Sequence, residues 1–172
     1  MTILTLTLPR PSVDDGLFRE AMAHLASGVA VAACWEGCEP RGLLVSSLTT
    51  LSTEPPRVLF CVGKTASAHG ALLQAQECSL ALLAEADQDE AERFSQRDRR
   101  GDRFDPDAWR LEPDAPPQRL DALVGINGFI DQKIDAGSHS IFIVRVTDAN
   151  VRDGAPLVYF DRAFRRLASA GA

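Results

Sequence analysis

Lysine is nearly absent from this chain of 172 residues, and basic residues as a whole are outnumbered. Of the 18 basic residues only Lys64 and Lys133 are lysines, and 24 acidic residues bring the formal net charge to -6. General nucleic-acid binding depends on a basic surface, so this balance argues against a nucleic-acid partner. An anionic ligand would have to be bound by a local group of basic residues.

A metal-binding pattern is also missing. The four cysteines, at positions 34, 38, 61 and 78, form no CxxC pair, and the three histidines are scattered. Structural zinc sites use closely spaced Cys and His ligands, so we expect no metal site. Cys34 and Cys38 flank a turn, where a disulfide is one alternative, but reduced thiols agree better with a cytoplasmic protein.

Long hydrophobic segments are absent as well. No run approaches the roughly 20 apolar residues that span a bilayer, and the first eleven residues lack the basic start and apolar stretch of a secretory signal. We therefore expect a cytoplasmic protein without a membrane partner. The length suits one domain with its own core, which we assign to residues 13–170 after an N-terminal arm at residues 1–12.

What is present is a series of β-strand patterns with few helices. Helical spacing predicts a helix at residues 14–27, with Gly28 as its left-handed cap, and shorter helices at residues 66–76 and 87–95. Residues 96–119, rich in Arg, Asp and Pro, predict a long surface excursion of the kind that usually serves function or contacts a partner subunit. Strands are predicted at residues 2–8, 29–35, 42–52, 57–62, 79–84, 120–134, 140–151 and 157–160.

Many strands with only peripheral helices predict a barrel or a sandwich. The strand–helix alternation of a parallel dinucleotide-binding fold is missing, and so is its GxGxxG motif. A nicotinamide cofactor, if one is used, must be held in another way.

The first candidate site is the run of hydroxyl residues within residues 42–52. Its backbone edge and its Ser and Thr side chains offer alternating hydrogen-bonding groups, which match the pyrimidine ring of a flavin. The alternative is an ordinary edge strand whose hydroxyls are solvated.

The second candidate is the turn from Lys64 to Ser67. Amides at the start of a helix, two hydroxyls and a lysine together suit a phosphate group, although Ser or Thr before a helix is also an ordinary N-cap. His139, entering a strand, is either a structural histidine or a hydrogen-bond donor to a carboxamide or a flavin edge. The arginines of residues 161–166 either steer an anionic cofactor or belong to a solvated turn.

Several motifs follow one another along the chain in a distinctive order. The densest block is residues 42–56, and others are found at residues 18–22, 27–31, 102–104 (Asp-Arg-Phe), 137–139 (Gly-Ser-His) and 156–160. In this order the chain resembles the short-chain flavin reductase family. The resemblance covers nearly the whole chain after about the first dozen residues.

The resemblance implies a mainly β fold: the FMN-binding split barrel, a Greek-key-like antiparallel β-barrel with peripheral helices. It also implies an NAD(P)H:flavin oxidoreductase that reduces FMN or FAD with NADH or NADPH and supplies a flavin-dependent oxygenase. Members of the family are homodimers with flavin near the subunit interface. Carried onto this sequence, the resemblance implies His139 near the nicotinamide and flavin rings as the catalytic residue. It implies that the flavin is held by Val45, Ser46, Ser47, Ser52, Lys64, Thr65 and Ser67, with Phe94 and neighbouring arginines at the border of the pocket.

Two departures from the family pattern affect these expectations. Ser138 stands where many relatives carry Asp, and Leu44 replaces a common Thr, which removes one hydroxyl from the expected flavin edge. The choices between FMN and FAD and between NADH and NADPH stay open. Because fold alone does not fix function, the alternative is a non-catalytic FMN-binding electron carrier. A weaker alternative is a barrel that binds haem or another planar ligand.

Overall fold

A computed structural model of the chain describes residues 12–167. The strand predicted at residues 2–8, nearly all of the proposed arm and the last three residues assigned to the domain lie outside the described residues. In chain order the elements are α1 (Asp15–Ala23), β1 (Ser27–Gly28), β2 (Ala30–Glu36), β3 (Glu39–Val45), β4 (Thr49–Thr53), β5 (Pro56–Gly63), α2 (His69–Gln74), β6 (Glu77–Leu82), α3 (Gln88–Ser95), β7 (Trp109–Arg110), β8 (Gln118–Arg119), β9 (Val124–Ala136), β10 (His139–Val151), β11 (Val158–Phe160) and β12 (Ala163–Arg165).

Seven antiparallel strands form the central sheet, in the order β3-β2-β6-β9-β10-β5-β4. Val45 of β3 and Phe60 of β5 come from opposite parts of this order, yet both belong to one buried cluster. The sheet therefore curls around that cluster, and Leu72 of α2 closes it. A smaller sheet, β1-β11-β12, and the β7-β8 pair lie beside it.

Strand β2 contributes side chains to two buried clusters, because its side chains alternate between the two faces of the sheet. Ala30, Ala32 and Cys34 point into the barrel. Val31 and Ala33 point outward, into a second cluster that includes α3 and the excursion after it. Burial on both faces explains why this segment is an unbroken apolar run in the sequence.

The helix predicted at residues 14–27 is shorter than expected. Asp14 caps α1 by accepting the amides of Gly16 and Leu17 at 2.9 and 3.2 Å, as an N-terminal carboxylate should. The chain leaves the helix at His24, because the following residues join strand pairing with β11. The assignment of Gly28 as the helix cap is therefore wrong, since Gly28 lies opposite Val158 in a sheet.

The single strand predicted at residues 42–52 is also wrong. β3 ends at Val45 and β4 begins at Thr49, so residues 46–48 leave the ladder. The hydroxyl of Ser47 replaces the missing ladder bonds: it accepts the Cys61 amide at 2.9 Å and donates to the Cys61 carbonyl at 3.1 Å. This break exposes a short stretch of backbone beside the end of β5.

The excursion at residues 96–119 packs onto the barrel instead of standing away from it. Trp109 and Phe104 are buried against Phe94 of α3, with ring centroids 4.9 to 5.5 Å apart. Phe104 adopts φ +62°, a conformation that costs a non-glycine residue energy and needs surrounding structure to hold it. The packed aromatic cluster supplies that support.

All four cysteines are free thiols. Cys34 and Cys78 are fully buried, and this burial raises the pKa of each thiol well above its ordinary value, which favours the neutral thiol. Among the described residues no helix is long and apolar enough to cross a membrane.

Candidate functional site

A cavity of about 830 Å³ lies where the break after β3 meets the turn after β5 and the far end of α3. The β11-β12 hairpin closes another side through Tyr159 and Phe164. The walls of this cavity differ in chemistry: one carries hydroxyls, one is apolar and one is basic.

The hydroxyl wall comes from Ser46, Thr65 and Ser67. Ser46 lies in the break between β3 and β4, where the backbone has left the ladder. In the turn after β5 the Ala66 amide donates to the Gly63 carbonyl at 2.9 Å. Within residues 12–167 the amides of Thr65 and Ser67 have no protein acceptor. This wall therefore offers both hydroxyls and backbone N–H groups to a ligand.

The apolar wall is built on Phe94, Leu43 and Leu44. Phe94 is only 2% exposed and is fixed by the edge-to-face contact with Phe104. A fixed aromatic side chain beside aliphatic ones suits a flat, apolar ring system.

The basic wall holds four arginines, Arg97, Arg100, Arg103 and Arg162, against one acidic lining residue, Glu92. In a chain with net charge -6 this local excess of positive charge favours the binding of an anionic ligand. Three of the four arginines come from the excursion.

Arg103 also holds the excursion in place. Its guanidinium donates to the carbonyls of Arg93, Phe94 and Gln96, at the C-terminal end of α3, at 2.8 to 3.0 Å. A fourth bond, 3.1 Å, reaches the Gly42 carbonyl of β3, and the guanidinium lies 5.2 Å from the Phe94 ring centroid. Burial lowers the pKa of Arg103, but an arginine remains charged at neutral pH.

A buried carboxylate anchors the outer side of the excursion. Glu90, 4% exposed, accepts the Trp109 indole N–H at 2.7 Å and an Arg93 N–H at 3.0 Å, and Arg119 lies 3.5 Å away. These contacts join α3 to both strands of the β7-β8 pair. The sequence analysis did not identify this network, since Glu90 and Arg119 are far apart in the chain and neither lies in a recognisable motif.

Four of the predicted flavin-binding residues line the cavity: Ser46, Thr65, Ser67 and Phe94. The other four predicted residues, Val45, Ser47, Ser52 and Lys64, are not among the lining residues. The Val45 side chain, 5% exposed, points into the barrel core. The hydroxyl of Ser47 is used by Cys61, and that of Ser52 donates to the Pro55 carbonyl at 2.7 Å.

Lys64 is not brought to the cavity. Its ammonium lies 2.7 and 2.8 Å from the two carboxylate oxygens of Asp135, and both side chains are exposed. The hydrogen bond from Lys64 lowers the pKa of Asp135. The Lys64 amide donates to the Ser138 carbonyl at 3.0 Å, so this turn is tied to the β9-β10 hairpin.

His139 lies at the margin of the cavity. It is exposed, begins β10 and pairs with Gly63, which does line the cavity. Its Nε2 lies 3.5 Å from the position that a Cβ on Gly63 would occupy, and its Nδ1 is 2.9 Å from the Ser138 hydroxyl.

Arginines near Phe94 were expected at the border of the pocket, but the excursion was not predicted as the source of the basic wall. The available signal was a run of arginines, at positions 97, 99, 100 and 103, in a chain with so few lysines. Tyr159 and Phe164 of the β11-β12 hairpin were also missed as lining residues. In the part of the chain that the structure describes, no group of His, Cys, Asp and Glu side chains is arranged to hold a metal ion.

Comparisons with known proteins identify the family and the fold of the chain. Residues 22–168 match the family described as flavin reductase like domain. The chain is 32% identical to the FMN reductase (NADH) SmoA of Agrobacterium fabrum over 151 residues, 87% of this chain and 84% of that protein. It is 28% identical over 152 residues to the reductase component of a 4-nitrophenol 4-monooxygenase/4-nitrocatechol 2-monooxygenase of Rhodococcus opacus, covering 88% and 80% of the two chains.

Among solved structures, the NADH:FAD oxidoreductase SgcE6 of Streptomyces globisporus C-1027, in complex with NAD and FAD fragments, superimposes with a TM-score of 0.84. It is 28% identical, and the match covers 95% of this chain and 100% of that one. The expected fold class is confirmed: the curled antiparallel sheet with peripheral helices is a split barrel. With a family match over most of its length, the chain belongs to the flavin reductase like domain family.

Proposed function

We propose that this protein is an NAD(P)H:flavin oxidoreductase that reduces FMN or FAD and supplies the reduced flavin to a separate flavin-dependent oxygenase. Its relatives include an FMN reductase (NADH) and the reductase component of a monooxygenase. The observation that carries the proposal is the cavity itself, in which the hydroxyl wall, the apolar wall and the four arginines of the basic wall face one another.

The residues present fit a flavin nucleotide. The volume of about 830 Å³ falls within the roughly 300–1,000 Å³ of ligand pockets. The apolar wall around Phe94 suits the ring system of the flavin, and Ser46 of the hydroxyl wall suits the polar edge of that ring system. Thr65, Ser67 and Arg100 suit the phosphate, since hydroxyls, free amides and a guanidinium are its usual partners.

When bound, the flavin would supply the redox chemistry, as the acceptor of a hydride from the nicotinamide. The chain's own part is positioning. Phe94, Leu43 and Leu44 would hold the ring system and so would orient it toward the second substrate. Backbone N–H groups near Ser46 would stabilise negative charge on the polar edge of the ring. His139, at the solvent margin, orients the carboxamide of the nicotinamide.

Steady oxidation of NADH or NADPH with excess FMN or FAD, followed by nicotinamide absorbance, tests the function. We expect each protein molecule to reduce many molecules of flavin. Tight retention of FMN with zero turnover for both nicotinamides would instead identify the alternative, an electron-carrier protein.

We further propose that the protein is a cytoplasmic homodimer. Helix α1 has no buried residue; it exposes Leu17, Phe18 and Met22, and Leu25 just after the helix is exposed as well. Exposed apolar groups of this extent usually mark an interaction surface. Light scattering should give twice the chain mass of 18.6 kDa, and Phe18→Asp should shift the protein toward the monomer. A monomer at all concentrations would contradict the dimer, and export of the protein from the cell would contradict the location.

A further inference from the structure

A second cavity, of about 300 Å³, adjoins the first one. Ser67, Arg100 and Arg103 line both cavities, so the two share a wall. The shared residues include the hydroxyl and the guanidinium that suit the flavin phosphate. A ligand whose phosphate lies at this wall has a continuous path into the second cavity.

The second cavity has its own charged residues. Arg41 and Glu36 line it, and their side chains are held together by a bond of 2.8 Å from Arg41 Nε to a Glu36 oxygen. Arg41 adds positive charge beyond Arg100, in the direction away from the first cavity. A carboxylate such as Glu36 accepts hydrogen bonds from ribose hydroxyls, and it repels a phosphate on the same ribose.

The floor of the second cavity is apolar and depends on a glycine. Gly42 and Phe104 line it, and a Cβ on Gly42 would lie 2.9 Å from Phe104 Cζ and 3.0 Å from the Ala32 carbonyl. Any larger residue at position 42 would therefore displace Phe104. An apolar surface between ionic groups has the chemistry of a site for a base with its ribose and phosphate.

From this arrangement we infer that the second cavity binds the adenosine-phosphate arm of a dinucleotide, and that the dinucleotide is FAD, which this chain therefore binds in preference to FMN. The assignment rests on the proposed function. FMN ends at the phosphate near Ser67, whereas FAD continues with a second phosphate and adenosine, and the shared wall lies at that point of continuation. The volume of about 300 Å³ suits such a fragment and is small for a complete flavin nucleotide.

NADH carries the same adenosine-phosphate group, so the experiment must separate the two sources. Isothermal titration calorimetry is carried out on the full chain with FAD, FMN and NADH in turn, for the unaltered protein and for Arg41→Ala. We expect the unaltered protein to bind FAD more tightly than FMN. In Arg41→Ala the FAD-to-FMN affinity ratio should fall about tenfold, the loss typical of one charge-assisted hydrogen bond.

Arg110→Ala is the matched control, because Arg110 is also an exposed arginine near a glutamate, 3.8 Å from Glu112, and it lines neither cavity. Glu36→Gln gives a second test, with a fall in the ratio of about threefold. Equal ratios in Arg41→Ala and Arg110→Ala would overturn the inference. Weaker NADH binding in Arg41→Ala, with the flavin ratio unchanged, would also overturn it by moving the site to the other dinucleotide. Failure of the proposed function would show separately, as zero flavin turnover in the unaltered protein.

Discussion

Two basic regions of this protein lie close to the same cavity, and their charges have different uses. In the turn after β5 the ammonium of Lys64 is neutralised by Asp135 at 2.7 Å, on the exposed side of the barrel. In the excursion after α3, Arg97, Arg100 and Arg103 line the cavity. A charged side chain therefore contributes to a site only where it lines the cavity, as the three arginines do and Lys64 does not, and the rarity of a residue type does not predict this.

The two regions are also anchored differently. The excursion is held by buried groups: Glu90 beneath Trp109, and the Arg103 guanidinium on backbone carbonyls. The turn with Lys64 is held by an exposed ion pair, which contributes little to stability. The mutations below should therefore have large effects in the excursion and small ones in the turn.

The largest effect is expected for Glu90→Ala. The substitution leaves Trp109 without an acceptor and leaves Arg93 and Arg119 with only their second carboxylates, Asp89 and Asp87, so the free energy of unfolding should fall by about 2–4 kcal/mol. Guanidinium unfolding measures the loss. The control Glu112→Ala removes an exposed carboxylate and should change stability by no more than about 0.5 kcal/mol. Equal losses in the two variants would remove the distinction between the anchored excursion and the surface.

Arg103→Ala should have the next largest effect. It leaves carbonyls at the end of α3 without a donor and should lower the free energy of unfolding by about 1–3 kcal/mol. Because the excursion then separates from β3, the KM for flavin should rise as well. Arg103→Lys keeps the charge but loses the planar fork, so it should recover only part of either property. Full recovery by lysine would mean that charge, and not the fixed bonding geometry, matters here.

His139→Ala should affect the two substrates unequally. Since His139 lies at the solvent margin of the cavity and not among its lining residues, the KM for the nicotinamide should rise about fivefold, as for the loss of one hydrogen bond of about 1 kcal/mol. The KM for flavin should change less. Steady-state kinetics with each substrate varied in turn measures both, and a larger change for flavin would place His139 inside the flavin site.

Asp135→Asn should have a small effect that depends on pH. The pKa of Asp135 is lowered by Lys64, so its carboxylate stabilises the folded state above the ordinary pKa of 3.8, and this stabilisation is lost as the pH falls through the lowered value. The unaltered protein should therefore exceed the variant in stability at neutral pH and match it at the acid end. Added salt should shrink the difference. A difference that grew on acidification would contradict the ion pair.

Much of the fold follows from local pattern, whereas much of the site does not. The alternation in β2 is written in consecutive residues, so the strand was predicted within a residue of its observed ends. The break after Val45 depends on the bond from Ser47 to Cys61, 14 residues away, and no local pattern contains it. The direction of Lys64 depends on Asp135, 71 residues away. Such distant pairings decided which of the candidate hydroxyls and charges reached the cavity.

The most direct test of this account is the ratio of FMN to riboflavin affinity, because only FMN carries the phosphate. We expect Arg100→Ala to lower this ratio about tenfold, which corresponds to about 1.4 kcal/mol, and Lys64→Ala to leave it within about twofold of the unaltered protein, as expected for an exposed ion pair. The opposite result, in which the FMN-to-riboflavin affinity ratio falls in Lys64→Ala and is unchanged in Arg100→Ala, would contradict the assignment of the phosphate to Arg100 of the basic wall.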